Sequence, residues 1–188
     1  MVALDSEDDA IQRGEPAPDF ELPAASGGTR SLSDFADRDA LLVVFTCNHC
    51  PYAQAKFEEL NHIAGEYDTV GVVGINPNDA AEYPDDSFER MQELVEDGTI
   101  KYDAYLRDED QSVAREYGAV CTPDPFLFAN DGGEFDLVYH GRIDDALNPD
   151  EKAKKREMRD IIDRLLAGEL IDDEFRPSRG CSIKWTDE

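Results

Sequence analysis

Ala40-Leu41-Leu42-Val43-Val44-Phe45-Thr46-Cys47-Asn48-His49-Cys50-Pro51 decides how the rest of the chain is read. Six consecutive apolar residues, Ala40 to Phe45, fit a strand buried on both faces of a sheet, since a half-solvated strand would alternate with polar residues. Beyond the cysteines, Ala53, Phe57, Leu60, Ile63, Ala64 and Tyr67 recur at helical spacing and predict one helix from Pro51 to Tyr67. The cysteines therefore stand where a strand turns into a helix. A C-x-x-C pair there can close a small disulfide ring, and the unpaired N–H groups and dipole of a helix start favour a thiolate. Thiolates are the nucleophiles of thiol–disulfide exchange. Cys47 is thus expected to attack and Cys50 to resolve, with His49 as a titratable neighbour.

Outward from this stretch, Val70 to Ile75 predicts a second central strand, and Phe88, Met91, Leu94 and Val95 mark a second helix. Tyr102 to Leu106 reads as a short strand and Gln111 to Tyr117 as a small helix. Phe126 to Phe128 and Phe135 to His140 flank Asp131-Gly132-Gly133, a hairpin connection. Met158, Ile161, Ile162, Leu165 and Leu166 give a closing helix. The order predicts an α/β fold with a mixed central sheet flanked by helices, and ligand sites at strand ends, where Cys47 falls. Residues 1–13 read as an acidic, flexible lead, 14–167 as the domain, and 168–188 as an irregular tail docking through its apolar residues.

The 188 residues suit a single domain. Forty-four acidic against 18 basic residues give a net charge of −26. That field argues against nucleic acid and anionic membranes as partners. Molar salt, with a Debye length of about 3 Å, would screen the self-repulsion, so a cytoplasmic protein of an extreme halophile is expected. No segment approaches the roughly 20 apolar residues of a membrane helix, and the acidic N-terminus is unlike an export signal. Four cysteines are too few for a disulfide scaffold and point to redox or metal chemistry.

Three stretches carry a family resemblance: Ala17-Pro18-Asp19-Phe20-Glu21-Leu22-Pro23, Cys47 to Pro51, and Val120-Cys121-Thr122-Pro123 before Phe126-Leu127-Phe128. On these the chain resembles the thioredoxin-like superfamily, more closely the redoxin branch related to alkyl hydroperoxide reductase and thiol-specific antioxidant proteins. The resemblance implies a three-layer sandwich, with a cis-proline at Pro123 facing the C-x-x-C. Thr122 and Pro123 would then offer an extended edge to a substrate peptide. It implies a thiol–disulfide oxidoreductase working through a mixed disulfide, with Cys47, Cys50, His49 and Thr46 at the catalytic site and no bound organic cofactor. Its partners would be a disulfide-containing protein or a small thiol or peroxide, and a thiol reductant. A thiol peroxidase is the first alternative, with Cys47 oxidised to a sulfenic acid that Cys50 resolves. A soft-metal chaperone for copper or zinc, using the cysteines and His49, is the second.

The chain also departs from the thioredoxin pattern. Thr46 replaces the usual tryptophan, Asn48-His49 replaces a pair containing proline, and the apolar strand before the motif offers no buried carboxylate. The central His49 is similar to disulfide isomerases and oxidases. Cys121 and Cys181 are expected to lie near the motif, as a second redox pair or relay or as structural thiols. Arg142 is a candidate for steering an anionic or peroxide substrate, and the acidic runs at Asp85-Asp86, Asp108 to Asp110 and Asp172 to Glu174 read as solvated surface.

Overall fold

The computed structural model describes residues 2–8 and 10–186. Met1 and Asp9 of the expected lead, and Asp187 and Glu188 of the expected tail, lie outside these residues. In chain order the strands are β1 (Ala3–Asp5), β2 (Glu21–Pro23), β3 (Thr29–Ser31), β4 (Ala40–Phe45), β5 (Val70–Asn76), β6 (Ala104–Arg107), β7 (Cys121–Thr122), β8 (Asp124–Asp131), β9 (Glu134–His140) and β10 (Arg179–Ser182). The helices are α1 (Pro51–Gln54), α2 (Phe57–Glu66), α3 (Phe88–Glu96), α4 (Ser112–Tyr117) and α5 (Glu157–Leu166). This is a thioredoxin-like α/β fold with a mixed central sheet in the order β6-β5-β4-β8-β9. β4 runs parallel to β5 and antiparallel to β8, with Phe45 opposite both Ile75 and Asp124. The ends of β4 and β5 and the start of β8 therefore meet at one edge, and the C-x-x-C emerges there.

β4 is buried throughout because both its faces are covered. Leu41, Val43 and Phe45 pack with Phe20, Phe35, Tyr117, Phe126 and Phe128. Ala40, Leu42 and Val44 face Leu60, Ile63, Met158, Ile161 and Ile162 on the other side. Truncating a side chain such as Phe45 to alanine in such a core costs about 3–5 kcal/mol, through lost transfer energy and the cavity left behind.

The single helix expected from Pro51 to Tyr67 is broken. The Lys56 N–H bonds the carbonyl of Ala53 rather than one turn further back, which tightens the chain there. The Lys56 ammonium is held 2.5 Å from Asp144 Oδ1 and 2.7 Å from Ala146 O, so tertiary contacts fix the bend. The expected lead carries regular structure over its described residues. β1 pairs with β10, and Ala10 joins the main core. The tail is less irregular than expected, since β10 lies between β1 and β7 in a second, three-stranded sheet. No helix of the described residues is long and apolar enough to cross a membrane.

Candidate functional site

Cys50 is the residue from which α1 starts, with extended backbone and Pro51 in the first turn. Proline suits that place because its missing N–H would have had no helical partner. Cys47 precedes it in the turn after β4, and both side chains are fully buried. The Cys47 sulfur lies 3.3 Å from the Thr122 hydroxyl, and the Cys50 sulfur 3.5 Å from the Thr122 carbonyl oxygen. The two cysteines hydrogen-bond each other.

That mutual contact divides the pair electrostatically. Cys50 is lowered from an ordinary value near 9 to about 5, chiefly because the Cys47 thiol donates to it; burial opposes the shift, and the Cys181 thiol and backbone N–H add donors. The Ala53 N–H also faces the Cys50 sulfur, short of full cap geometry. Cys47 moves the other way, through burial first, then its bond to Cys50 and the negative field of Asp86. The sequence reading places the thiolate at Cys47; this arrangement favours Cys50. The helix starts three residues later than Cys47, and the donors converge on Cys50.

A buried polar shell holds the motif. Asp86 is fully buried, contrary to the reading of Asp85-Asp86 as solvated surface. Its Oδ1 accepts the Asn48 N–H at 2.7 Å and its Oδ2 accepts the Asn78 amide at 2.8 Å. Asn48 in turn accepts the Tyr105 hydroxyl at 2.7 Å, and its backbone carbonyl accepts the Gln54 amide at 2.9 Å. His49 Nδ1 sits 2.5 Å from Asp86 Oδ2, but out of line for a hydrogen bond, and its ring stacks on Tyr83. Cys47, His49 and Asp86 each offer a donor atom within 4.8 Å of the others, so these are the residues that could hold a metal ion. The Thr46 hydroxyl is buried with no hydrogen-bond partner among the described residues, and it is Thr122 that meets the Cys47 sulfur. Asp108 is likewise buried rather than solvated, accepting the Ala114 N–H of α4 at 2.8 Å.

The Thr122–Pro123 peptide is cis. The edge of β7 is filled by the chain itself, with Cys181 opposite Thr122 and Ser182 opposite Cys121. The approach is closer than any side chain would permit: a Cβ on Gly180 would fall 1.9 Å from the Thr122 carbonyl oxygen. Cys181 hydrogen-bonds Cys50 across this contact. Cys121 points elsewhere, with its thiol 3.7 Å from the Pro123 carbonyl, and burial pushes it well above the ordinary thiol value. Arg142 is engaged by Glu157, its Nε 3.0 Å from Oε1. Asp86 was not legible because its acid neighbours in sequence are exposed; only its place in the turn after β5, at the edge that β4 shares, hints at it.

A strand-to-helix dithiol on this sheet defines a thioredoxin-like protein with thiol-redox capability. The chain belongs to the AhpC/TSA family, whose model matches residues 13–133. Among solved structures it is similar to a conserved uncharacterized protein of Geobacillus kaustophilus, with 37% identity, a TM-score of 0.90, and 100% of this chain and 98% of that one covered. A hypothetical protein of Sinorhizobium meliloti 1021 is similar at 40% identity and a TM-score of 0.89, covering 98% of this chain and 99% of that one. The peroxidoxin BcpB of Mycobacterium tuberculosis shares the fold, at 17% identity and a TM-score of 0.57 over 83% of this chain and 95% of that one. No curated protein gave a match.

Proposed function

We propose that this chain is a thiol–disulfide oxidoreductase in which Cys50 attacks and Cys47 resolves, the reverse of the roles expected from the sequence. The observation that carries the reading is the place of Cys50 at the start of α1, in one buried cluster with Cys47 and Cys181, where the donors around its sulfur favour the anion. The Cys50 thiolate attacks one sulfur of a disulfide, forming a mixed disulfide and expelling a thiolate. Cys47 loses its proton to that leaving thiolate and attacks the Cys50 sulfur. This closes the Cys47–Cys50 disulfide and releases the second thiol, and a donor dithiol reverses the sequence. AhpC/TSA membership supports thiol-redox chemistry in general.

The substrate is a small disulfide. β10 fills the edge that an extended peptide would need. Trapping tests the assignment. Treated with a small aromatic disulfide, Cys47→Ser with Cys181→Ala should accumulate the mixed disulfide on Cys50. Cys50→Ser should not trap on Cys47; a mixed disulfide only on Cys47 overturns the order of attack. A second reading, a thiol peroxidase oxidised at Cys50, draws on the family membership. Hydrogen peroxide consumption with dithiothreitol, in protein that does not reduce disulfides, selects it.

The charge of −26 supports a working medium of high ionic strength, as in the cytoplasm of a halophile. The thermal midpoint should rise steeply from millimolar to molar potassium chloride. An unchanged midpoint overturns that part.

A further inference from the structure

Strand β10 places a third sulfur at the redox pair, and three independent features hold it there. First, it is hydrogen-bonded on both edges, with Cys181 opposite Ala3 on one side and Thr122 on the other. Second, its flanks are fastened by polar contacts. The Ser178 hydroxyl donates to the Pro123 carbonyl at 2.7 Å, and the Arg179 guanidinium meets Asp5 at 2.9 Å. Beyond the strand, Lys184 N bonds Asn78 Oδ1 at 2.9 Å and Trp185 lies against Arg115. Third, the absence of a side chain at Gly180 lets the backbone press onto the Thr122 carbonyl. Cys181 is almost wholly buried, so its chemistry is directed at its neighbours rather than at solvent.

We propose that Cys181 is a third redox cysteine, which competes with Cys47 to resolve the mixed disulfide at Cys50 and forms a Cys50–Cys181 disulfide. The inference rests on the reading of Cys50 as the attacking sulfur. A small disulfide RSSR supplies the oxidising equivalents: Cys50 attacks it, giving Cys50–S–S–R and RS⁻. Cys181 passes its proton to that thiolate, and its sulfur attacks the Cys50 sulfur. The Cys50–Cys181 bond forms as the second RS⁻ leaves and takes up a solvent proton. Two protein thiols are oxidised and one RSSR is reduced to two RSH. Cys47 can then attack the Cys50 sulfur and return Cys181 to the thiol, so the tail acts as a temporary holder of the oxidised state. Cys181 is raised to about 12, by burial and by its bond to Cys50, so it stays protonated until a base is generated beside it. The leaving thiolate is that base.

Disulfide mapping by mass spectrometry tests this in the full chain. Cys47→Ser oxidised with a small aromatic disulfide should lose the mass of two hydrogens and yield a Cys50–Cys181 peptide. Cys47→Ser with Cys181→Ala should stop at the mixed disulfide. Gly180→Val in the Cys47→Ser background should slow the cross-link by about tenfold or more, because the tail no longer presents its sulfur at high effective concentration. Cys47→Ala repeats the test in a second background, with circular dichroism checking the fold of each. A Cys50 that carries only the small thiol in both backgrounds, while Cys181 remains open to alkylation after unfolding, overturns the proposal. Wild-type protein without a Cys47–Cys50 peptide instead overturns the underlying oxidoreductase reading, so the two failures are distinct.

Discussion

Cys50 and Cys121 are both fully buried, and both sit against the Thr122–Pro123 segment. Their chemistry nevertheless diverges. Cys50 receives two thiol donors and backbone N–H groups and is lowered to about 5, whereas Cys121 is driven well above the usual thiol range by burial and by the nearby carboxylates of Asp124 and Asp5. Burial alone disfavours a thiolate; donors aimed at the sulfur reverse the sign. The opposite shifts of these two sulfurs follow from what points at each, not from exposure, which they share.

The largest expected effect breaks or confirms that contrast directly. Cys50→Ser should cut disulfide turnover by roughly three orders of magnitude or more, as loss of an attacking group does. Cys121→Ala should leave turnover nearly unchanged and cost about 1 kcal/mol of stability. Equal losses in a steady-state assay would mean that both sulfurs are needed, and the contrast fails.

Titration sharpens it. Thiolate absorbance at 240 nm in the reduced wild type should rise with a midpoint near pH 5, and that step should vanish in Cys50→Ser. Stability follows the same shifts with opposite signs. Cys50's folded value lies below its ordinary value near 9, so its contribution is complete above pH 9, shrinks as pH falls, and is gone below about pH 5. Cys121's folded value lies above 9, so its contribution is complete below pH 9 and is lost at higher pH. The difference in urea midpoint between wild type and Cys50→Ser should therefore grow from pH 5 to pH 8. A flat difference would show that the Cys50 anion is not stabilised by the fold.

Asp86→Asn should act next most strongly, and on Cys47. It keeps an oxygen to accept the Asn48 N–H but removes the negative field that raises Cys47. Cys47 should then titrate at lower pH and resolve the mixed disulfide faster in single-turnover measurements. Unchanged resolution would remove Asp86 from the account of the pair.

Most of the frame could be read from Ala40 to Pro51, because a doubly buried strand followed by an amphipathic helix leaves a strong local pattern. The hairpin was legible from Asp131-Gly132-Gly133 between two apolar runs, whereas the place of Pro123 came from the family resemblance. What escaped depends on single-residue geometry or on distant partners. Whether the helix starts beside Cys47 or at Cys50 decides which sulfur collects the donors, and helical periodicity does not resolve three residues. The break at Lys56 comes from Asp144 and Ala146, nearly ninety residues away. Asp86 is an acid in a chain full of acids, marked out only by a turn that folds it inward. The tail strand depends on the one glycine that fits against the Thr122 carbonyl, and its pairing has no local signature.

The smallest effect expected concerns the hydroxyl that faces Cys47. The Thr122 hydroxyl, 3.3 Å from the Cys47 sulfur, is the group that lowers this thiol against burial, Cys50 and Asp86. Thr122→Val keeps the volume and removes the hydroxyl, so Cys47 should titrate at still higher pH while the Cys50 step near pH 5 stays in place. One such hydrogen bond contributes about 0.5–1.5 kcal/mol, which corresponds to a two- to tenfold slower closure of the Cys47–Cys50 disulfide. Formation of the mixed disulfide on Cys50 should be unaffected, because the Thr122 atom facing Cys50 is a backbone carbonyl that the substitution retains. A variant that slows the first step as much as the second would show that the two sulfurs act as one unit, and that the donors do not assign them separate roles.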